Sequence, residues 1–242
     1  MAELRCATWN VHRAKGKDGV VDPERVVGAI ETAIVPYGAD VLALQEADEE
    51  CRPHAGILDI ARIAESTGLE YVNDRPNLRW GLQSDGFLGT ILFLHPRLKR
   101  THADVIDLPG HCHRGVISVE IVADGRPCRI MSTHLSLTQP LRIIQMRVIG
   151  QYLRRRPKMQ TVLLGDLNEW RPWNGIAFSE RLVGTALRGP VKRTFPTGWP
   201  ILPLDRILTD APGQVQDVRA IDTLQTNLAS DHRPLTGMVI VP

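Results

Sequence analysis

Residues 128–168 read CRIMSTHLSLTQPLRIIQMRVIGQYLRRRPKMQTVLLGDLN. Residues 128–133 form an extended apolar segment that stops at Ser132-Thr133-His134. Leu141, Ile144, Val148, Tyr152 and Leu153 then recur at helical spacing and predict a helix over residues 139–154. A second apolar run, residues 161–164, predicts a strand that stops at Gly165-Asp166-Leu167-Asn168. Both strands therefore end on polar groups able to carry chemistry.

The same units recur outward from this stretch. The chain opens with buried strands at residues 4–9 and 41–44, separated by a helix over residues 23–35 that Asp22 caps and Pro23 starts. A helix over residues 57–66, closed by Gly68, leads into a short strand at residues 69–72. Residues 86–94, 99–106, 116–122 and 128–133 read as consecutive antiparallel strands, with Ala123-Asp124-Gly125-Arg126 as a hairpin turn. Strands at residues 204–208, 214–219 and 235–241 close the chain, and residues 226–229 read as a loop. Mixed βαβ and hairpin connections, with more strands than one open sheet usually holds, predict an α/β fold: a four-layer α/β sandwich of two packed mixed β-sheets flanked by helices. The proline-rich residues 190–203 read as a surface loop, so residues 1–242 are expected to form a single domain.

Composition narrows the partners. Twenty-nine basic against 27 acidic residues leave a formal charge of +2, which argues against general affinity for polyanions and requires any phosphate site to be local. Cys6, Cys51, Cys112 and Cys128 are scattered without a C-x-x-C spacing, and no secretory leader pattern opens the chain, so a cytoplasmic location is expected. Apolar runs fall far short of the roughly 20 residues needed to cross a bilayer. No obligate protein partner is evident.

Five apolar runs end on Thr8-Trp9-Asn10, Leu44-Gln45-Glu46, Ser132-Thr133-His134, Gly165-Asp166-Leu167-Asn168 and Ser230-Asp231-His232. Strand ends of this kind can gather on one rim of a sheet, where carboxylates, amides and imidazoles together point to metal-assisted hydrolysis. In an extended segment Asp166 and Asn168 share a face; an Asx turn is the structural alternative. Glu46 at the end of a buried strand needs either a hard cation or an arginine to offset its desolvation. Asp231 and His232, being adjacent, serve different partners, and Asp205 is a candidate to accept the second N–H of His232. His134 reads as either a second active imidazole or a satisfied core histidine.

Thr-Trp-Asn-Val-His, Leu-Gln-Glu, Thr-His-Leu, Gly-Asp-Leu-Asn, Leu-Asp-Arg-Ile and Ser-Asp-His, in this order over nearly the whole chain, resemble the endonuclease/exonuclease/phosphatase superfamily. The resemblance implies a Mg²⁺-dependent hydrolase of phosphate esters, with Mn²⁺ as a substitute, on a four-layer α/β sandwich. It implies that Glu46 is the central metal ligand, assisted by Asn10 and Asp231. It implies further that Asp166 and Asn168 position the attacking water and the phosphate, while His134 and the His232–Asp205 pair stabilise charge on the phosphate oxygens. Arg114 is a candidate phosphate contact, or simply a surface arginine. His12 stands where several nuclease relatives carry an acid or amide, which puts a second metal position in doubt. The resemblance leaves the substrate open among a nucleic acid, a phospholipid and a small phosphodiester.

The selecting loops are less informative. His111-Cys112-His113 lacks the spacing of a zinc site and reads as a loop near the substrate, while residues 154–158 are basic at a helix end, where cations favour the helix dipole. Trp80, Trp170, Trp173 and Trp199 fall in predicted loops and are expected around the active rim, stacking on a ligand or packing the loops.

Overall fold

A computed structural model of the chain describes residues 1–110, 112, 114–171 and 175–242. Its strands are β1 (Ala2–Asn10), β2 (Val41–Gln45), β3 (Glu70–Tyr71), β4 (Ile91–Leu94), β5 (Lys99–Leu108), β6 (Arg114–Ala123), β7 (Arg126–His134), β8 (Gln160–Asp166), β9 (Asp205–Thr209), β10 (Gln214–Ala220) and β11 (Leu235–Val241). They form two sheets, ordered β10-β11-β1-β2-β4-β3 and β5-β6-β7-β8-β9. Each sheet contains one parallel pair, β1 with β2 and β7 with β8, among antiparallel neighbours. The helices are α1 (Pro23–Ala29), α2 (Ile60–Thr67), α3 (Gln139–Arg155), α4 (Glu180–Val183) and α5 (Leu224–Ala229). The sandwich expected from the sequence is therefore present.

Three apolar clusters define its layers. Leu4, Cys6, Ala43, Leu92, Val119, Ile130, Leu164 and Ile207 pack between the sheets. Trp9, Leu42, Leu44 and Phe93, on the opposite face of the first sheet, pack under α1 and α2 through Val26, Ile30 and Ile63. Met131, Leu163 and Leu208 meet α3 through Met146 and Ile149. Side chains alternate along a strand, so the inward row 2, 4, 6 of β1 continues into Thr8 and Asn10. Thr8 Oγ1 donates to Gln45 Oε1 at 3.2 Å, and Gln45 Nε2 donates to Ser132 Oγ at 3.3 Å, linking the two sheets. The space between the sheets thus turns from apolar to polar toward one end.

Several local expectations change. The first helix regularly covers only Pro23–Ala29 and continues as a π turn, Ile30–Ile34, and a 3₁₀ turn, Val35–Tyr37, because Pro36 cannot supply a helical N–H. Residues 86–94 reduce to β4, which pairs with β2 and β3 in the first sheet, whereas β5 belongs to the second. All four residues of β4 are buried, which suits an interior strand, while β5 is half exposed and forms an edge. The loop expected at residues 226–229 is part of α5, whose first turn is closed by a reciprocal capping box between Thr223 and Thr226. On α3 the buried face is Arg142, Gln145, Met146, Ile149 and Gly150, and Ile144 is exposed.

Gly165 sits at φ +140°, and a Cβ there would run into the carbonyl oxygen of Thr133 on the paired strand. Gly165→Ala is expected to cost at least about 2 kcal/mol, as backbone strain and overlap demand, and to displace Asp166. Urea denaturation and the activity assay below would check both effects.

Candidate active site

Strand register brings the distant residues together. His134 stands beside Asp166, and Asp166 beside Asp205, in one row across β7, β8 and β9. Asn10 pairs with Gln45 at the facing ends of β1 and β2, placing Glu46 at the rim. Asp231 and His232 precede β11, and Trp9 Nε1 donates to the His232 carbonyl at 2.9 Å, fixing that segment to β1. The resulting cleft, about 760 Å³, is lined by Asn10, Glu46, Arg114, His134, Asp166, Asn168, Asp231 and His232. Asp205 lies behind it, fully buried.

Asp166 is the hub. Its Oδ2 accepts from Asn10 Nδ2 at 2.9 Å and lies 3.3 Å from His134 Nε2 and 3.8 Å from His232 Nε2. Its Oδ1 accepts from the Asn168 backbone N–H at 3.1 Å, while Asn168 Nδ2 donates to the Leu135 carbonyl at 2.9 Å. Both readings of the Asp-x-Asn pair thus meet here, since the Asx turn is what orients the carboxylate. Burial pushes the Asp166 carboxyl up from 3.8 to about 6; His232 opposes that rise and Asp205 adds to it.

The two imidazoles differ in charge. Burial pulls against ionisation of His232, but Asp205, Asp166 and Asp231 overcome it and push its pKa up to about 10. Its Nδ1 lies 2.8 Å from Asp205 Oδ2, which also accepts from Thr194 Oγ1 at 2.5 Å, so the ring is oriented from behind and its Nε2 faces the cleft side. His134, buried and facing Arg114, His232 and Arg13, is held well below 6.5 and stays neutral. A cationic and a neutral imidazole therefore flank one carboxylate.

Next to His134, Glu46 forms an ion pair with Arg13, and its Oε1 accepts from Asn10 Nδ2 at 3.3 Å and lies 3.6 Å from His134 Nδ1. The arginine alternative for Glu46 is thus realised, by a residue the sequence did not single out. His12, Arg13 and Ala14 all have φ near +50° (48°, 51° and 56°), as do Glu46 (54°) and Asn168 (51°). Non-glycine residues rarely adopt this conformation, and its concentration around one cleft marks a site built at the expense of local strain. His12 Nδ1 lies 3.4 Å from Asp231 Oδ1, a buried oxygen without a hydrogen bond. Asp48, also in the cleft, has a buried Oδ2 without a hydrogen bond, and desolvation raises its carboxyl to about 6.

These groups fit a hard divalent cation. Glu46 and Asp231 offer carboxylate oxygens, one Asp231 oxygen has no hydrogen bond, and Asp48 and Asp166 add negative charge nearby, while Asn10 Oδ1 accepts from the His12 N–H at 2.9 Å and would serve the cation as a shared oxygen. Ligating atoms of Asp166, Asp205 and His232 also lie within 4.8 Å of one another. The prior engagement of Asp205 Oδ2 with Thr194 and His232 favours a histidine-orienting role for that trio.

Outside this core, Cys112 lines the cleft, and His111, His113 and Trp173 lie outside the described residues. Trp170 lines the cleft, Trp199 is exposed, and Trp80 packs against His54 and Phe87. Arg156, in the basic run after α3, pairs with Glu120 at 3.0 Å, in keeping with a structural reading.

Two packed β-sheets whose strand ends hold carboxylates around a pair of imidazoles define a class, an α/β sandwich with its candidate site at one rim. Residues 7–232 match the model of the Endonuclease/Exonuclease/phosphatase family, and the chain belongs to that family. Its members are generally divalent-metal-dependent hydrolases of phosphate esters. YbhP of Escherichia coli (strain K12) is 24% identical over 228 residues, covering 88% of each chain. The endonuclease/exonuclease/phosphatase from Bacteroides vulgatus superposes with a TM-score of 0.78 at 12% identity over 100% of both chains. D. rerio TDP2 complexed with single strand DNA product superposes at 0.69 with 18% identity, again over 100% of both. These likenesses at low identity establish the fold. Among the described residues no helix is long and apolar enough to cross a membrane.

Proposed function

We propose that this protein is a Mg²⁺-dependent phosphodiesterase, with Mn²⁺ as a substitute, that directs water in line at phosphorus. The observation that carries the reading is Asp166 set between Asn10, His134 and His232 in a cleft that Glu46 and Asp231 also line. Asn10, Glu46 and Asp231 would hold the cation, which when bound neutralises phosphate charge and polarises the phosphorus–oxygen bonds. Asp166 accepts the proton of the attacking water, its carboxylate aimed by the Asn10 amide and the Asn168 N–H. His232, kept cationic by Asp205, donates from Nε2 to a phosphate oxygen and offsets the charge that grows there. Neutral His134, Asn168 and Arg114 complete the phosphate cradle. Residues 1–242 act as one catalytic domain, in the cytoplasm, without an obligate protein partner.

Hydrolysis of bis-p-nitrophenyl phosphate tests this reading. The protein is expected to release p-nitrophenolate with Mg²⁺ or Mn²⁺ and to stop when the metal is chelated. His232→Ala is expected to lower kcat by about 10²-fold, the usual scale for removing one preorganised donor. Full turnover by the variant would refute the role of the imidazolium. A DNA nuclease of repair type is a second reading, favoured by the similarity to TDP2 with its single strand DNA product. It requires cutting of plasmid or abasic duplex with steep salt dependence. A silent family member that only binds a phosphorylated ligand would hydrolyse nothing under any metal.

A further inference from the structure

The loop that follows Asn168 is held from within by buried charges that the mechanism above leaves unused. Glu169 is fully buried, and its carboxylate meets Arg171 Nη1 at 3.1 Å and Arg142 Nη2 at 3.5 Å. Arg206 Nη2 donates to the Glu169 carbonyl at 2.8 Å and to the Arg171 carbonyl at 2.9 Å, and Arg171 Nη2 donates to Gln139 Oε1 at 2.5 Å. Arg142 and Arg206 are as deeply buried as Glu169. Taking ionised groups out of water is costly, and hydrophobic packing of the same volume often stabilises as well. What this arrangement adds is a fixed course for residues 168–171.

Trp170 rides on that course. It lines the cleft and is 50% exposed, and the Arg171 guanidinium covers its ring at 4.7 Å from the centroid. A cation over an aromatic face and a backbone pinned on both sides make this a rigid platform at the edge of the reacting centre. We infer that Trp170 is a specificity-determining residue on which a planar ring of the substrate, a nucleobase, stacks beside the phosphate under attack. The inference rests on the phosphodiesterase reading and names the class of ester that the cleft takes.

The walls of the cleft support a planar partner over an acyl chain. Loops from the second sheet contribute Leu137, Trp170 and Leu202, whereas loops from the first contribute His12, Arg13, Asp48 and Glu50 and, as apolar surface, the largely buried Leu88. An acyl chain would meet mainly polar and charged groups on that side. A base, with a π face and polar edges, matches both. The volume of about 760 Å³ suits a small molecule, and the near-balanced charge of 29 basic against 27 acidic residues offers little to a long polyanion. A small nucleotide ester meets both conditions.

Calorimetric binding of AMP and of ribose 5-phosphate in Mg²⁺ buffer tests the inference, since the two differ only by the base. The wild-type protein is expected to prefer AMP by about tenfold, within the range of base–aromatic stacking. Trp170→Leu should bring the ratio close to one, and Trp170→Phe should keep most of it. An unchanged ratio in Trp170→Leu, or no preference in the wild type, would overturn the inference. So would binding to phosphatidylcholine vesicles that requires Trp170. Metal-dependent hydrolysis of bis-p-nitrophenyl phosphate separates the two readings. If it persists while the AMP preference is absent, only the role of Trp170 fails; if no phosphate ester is hydrolysed, the phosphodiesterase reading fails with it.

Discussion

Asp166→Asn is expected to lower kcat on bis-p-nitrophenyl phosphate by about 10⁴-fold, the upper range for losing a general base, while the folded structure persists. The amide retains the size of the carboxyl and can still accept the Asn168 N–H bond seen at 3.1 Å. It cannot take a proton from water. The same variant carries a stability signature. The wild-type carboxyl has a pKa of about 6 in the folded protein against an ordinary 3.8, chiefly because burial penalises its charge. Between those values the folded state binds the proton more tightly than the unfolded state, so wild-type stability falls as pH rises through this window. Above pH 6 the full penalty is present; below about pH 4 it is absent. The amide nitrogen also replaces Oδ2, which accepts from Asn10 Nδ2 at 2.9 Å, and this loss is present at every pH. In metal-free buffer the stability of Asp166→Asn relative to wild type should therefore be more favourable at pH 7 than near pH 4. A variant that retained full turnover, or one that was less stable at pH 7 than at pH 4 relative to wild type, would show that Asp166 is a structural carboxylate.

The period-two rows made much of this site legible. Asn10, His134, Asp166 and Asp205 lie on strands whose inward rows are apolar deeper in the sandwich, and polarity where a row leaves the core was the visible sign. The register that aligns His134, Asp166 and Asp205 was not visible, because pairing across three strands depends on partners dozens of residues apart. The assignment of β4 to the first sheet was hidden for a related reason. Only four residues separate it from β5, a spacing that ordinarily marks a hairpin, yet burial of both faces drew it against β2. Arg13 and Asp48 escaped because alternation stops where the backbone turns left-handed, at His12 and at Glu46. Beyond such a turn, spacing no longer says which side chains share a face. The Glu169 network escaped for a different reason. Its charged residues are ordinary surface types, and nothing in their order announces that Arg142 and Arg206 are buried.

Glu46→Ala is expected to abolish the response to Mg²⁺. Glu46 stands at the end of β2 with φ +54°, a conformation that turns its carboxylate into the cleft toward Asn10 and Arg13. Losing it removes a principal oxygen donor and leaves Asn10 and Asp231, one neutral and one charged, to hold a hard cation. A cation that binds only the folded state raises stability by RT ln(1 + [L]/Kd), about 2.7 kcal/mol at 100 times Kd, so wild-type protein should melt at a higher temperature as Mg²⁺ is added. In Glu46→Ala the melting temperature should be flat over the same titration, and hydrolysis should fall by about 10⁴-fold or more. Arg13 supplies the contrast. Its guanidinium pairs with Glu46 Oε2, so a cation and Arg13 would compete for that oxygen. Arg13→Ala should therefore shift the Mg²⁺ midpoint of the melting titration to lower concentration, opposite in sign to Glu46→Ala. If both substitutions left the titration unchanged, Glu46 would be an arginine partner and the cation would have to bind elsewhere in the cleft.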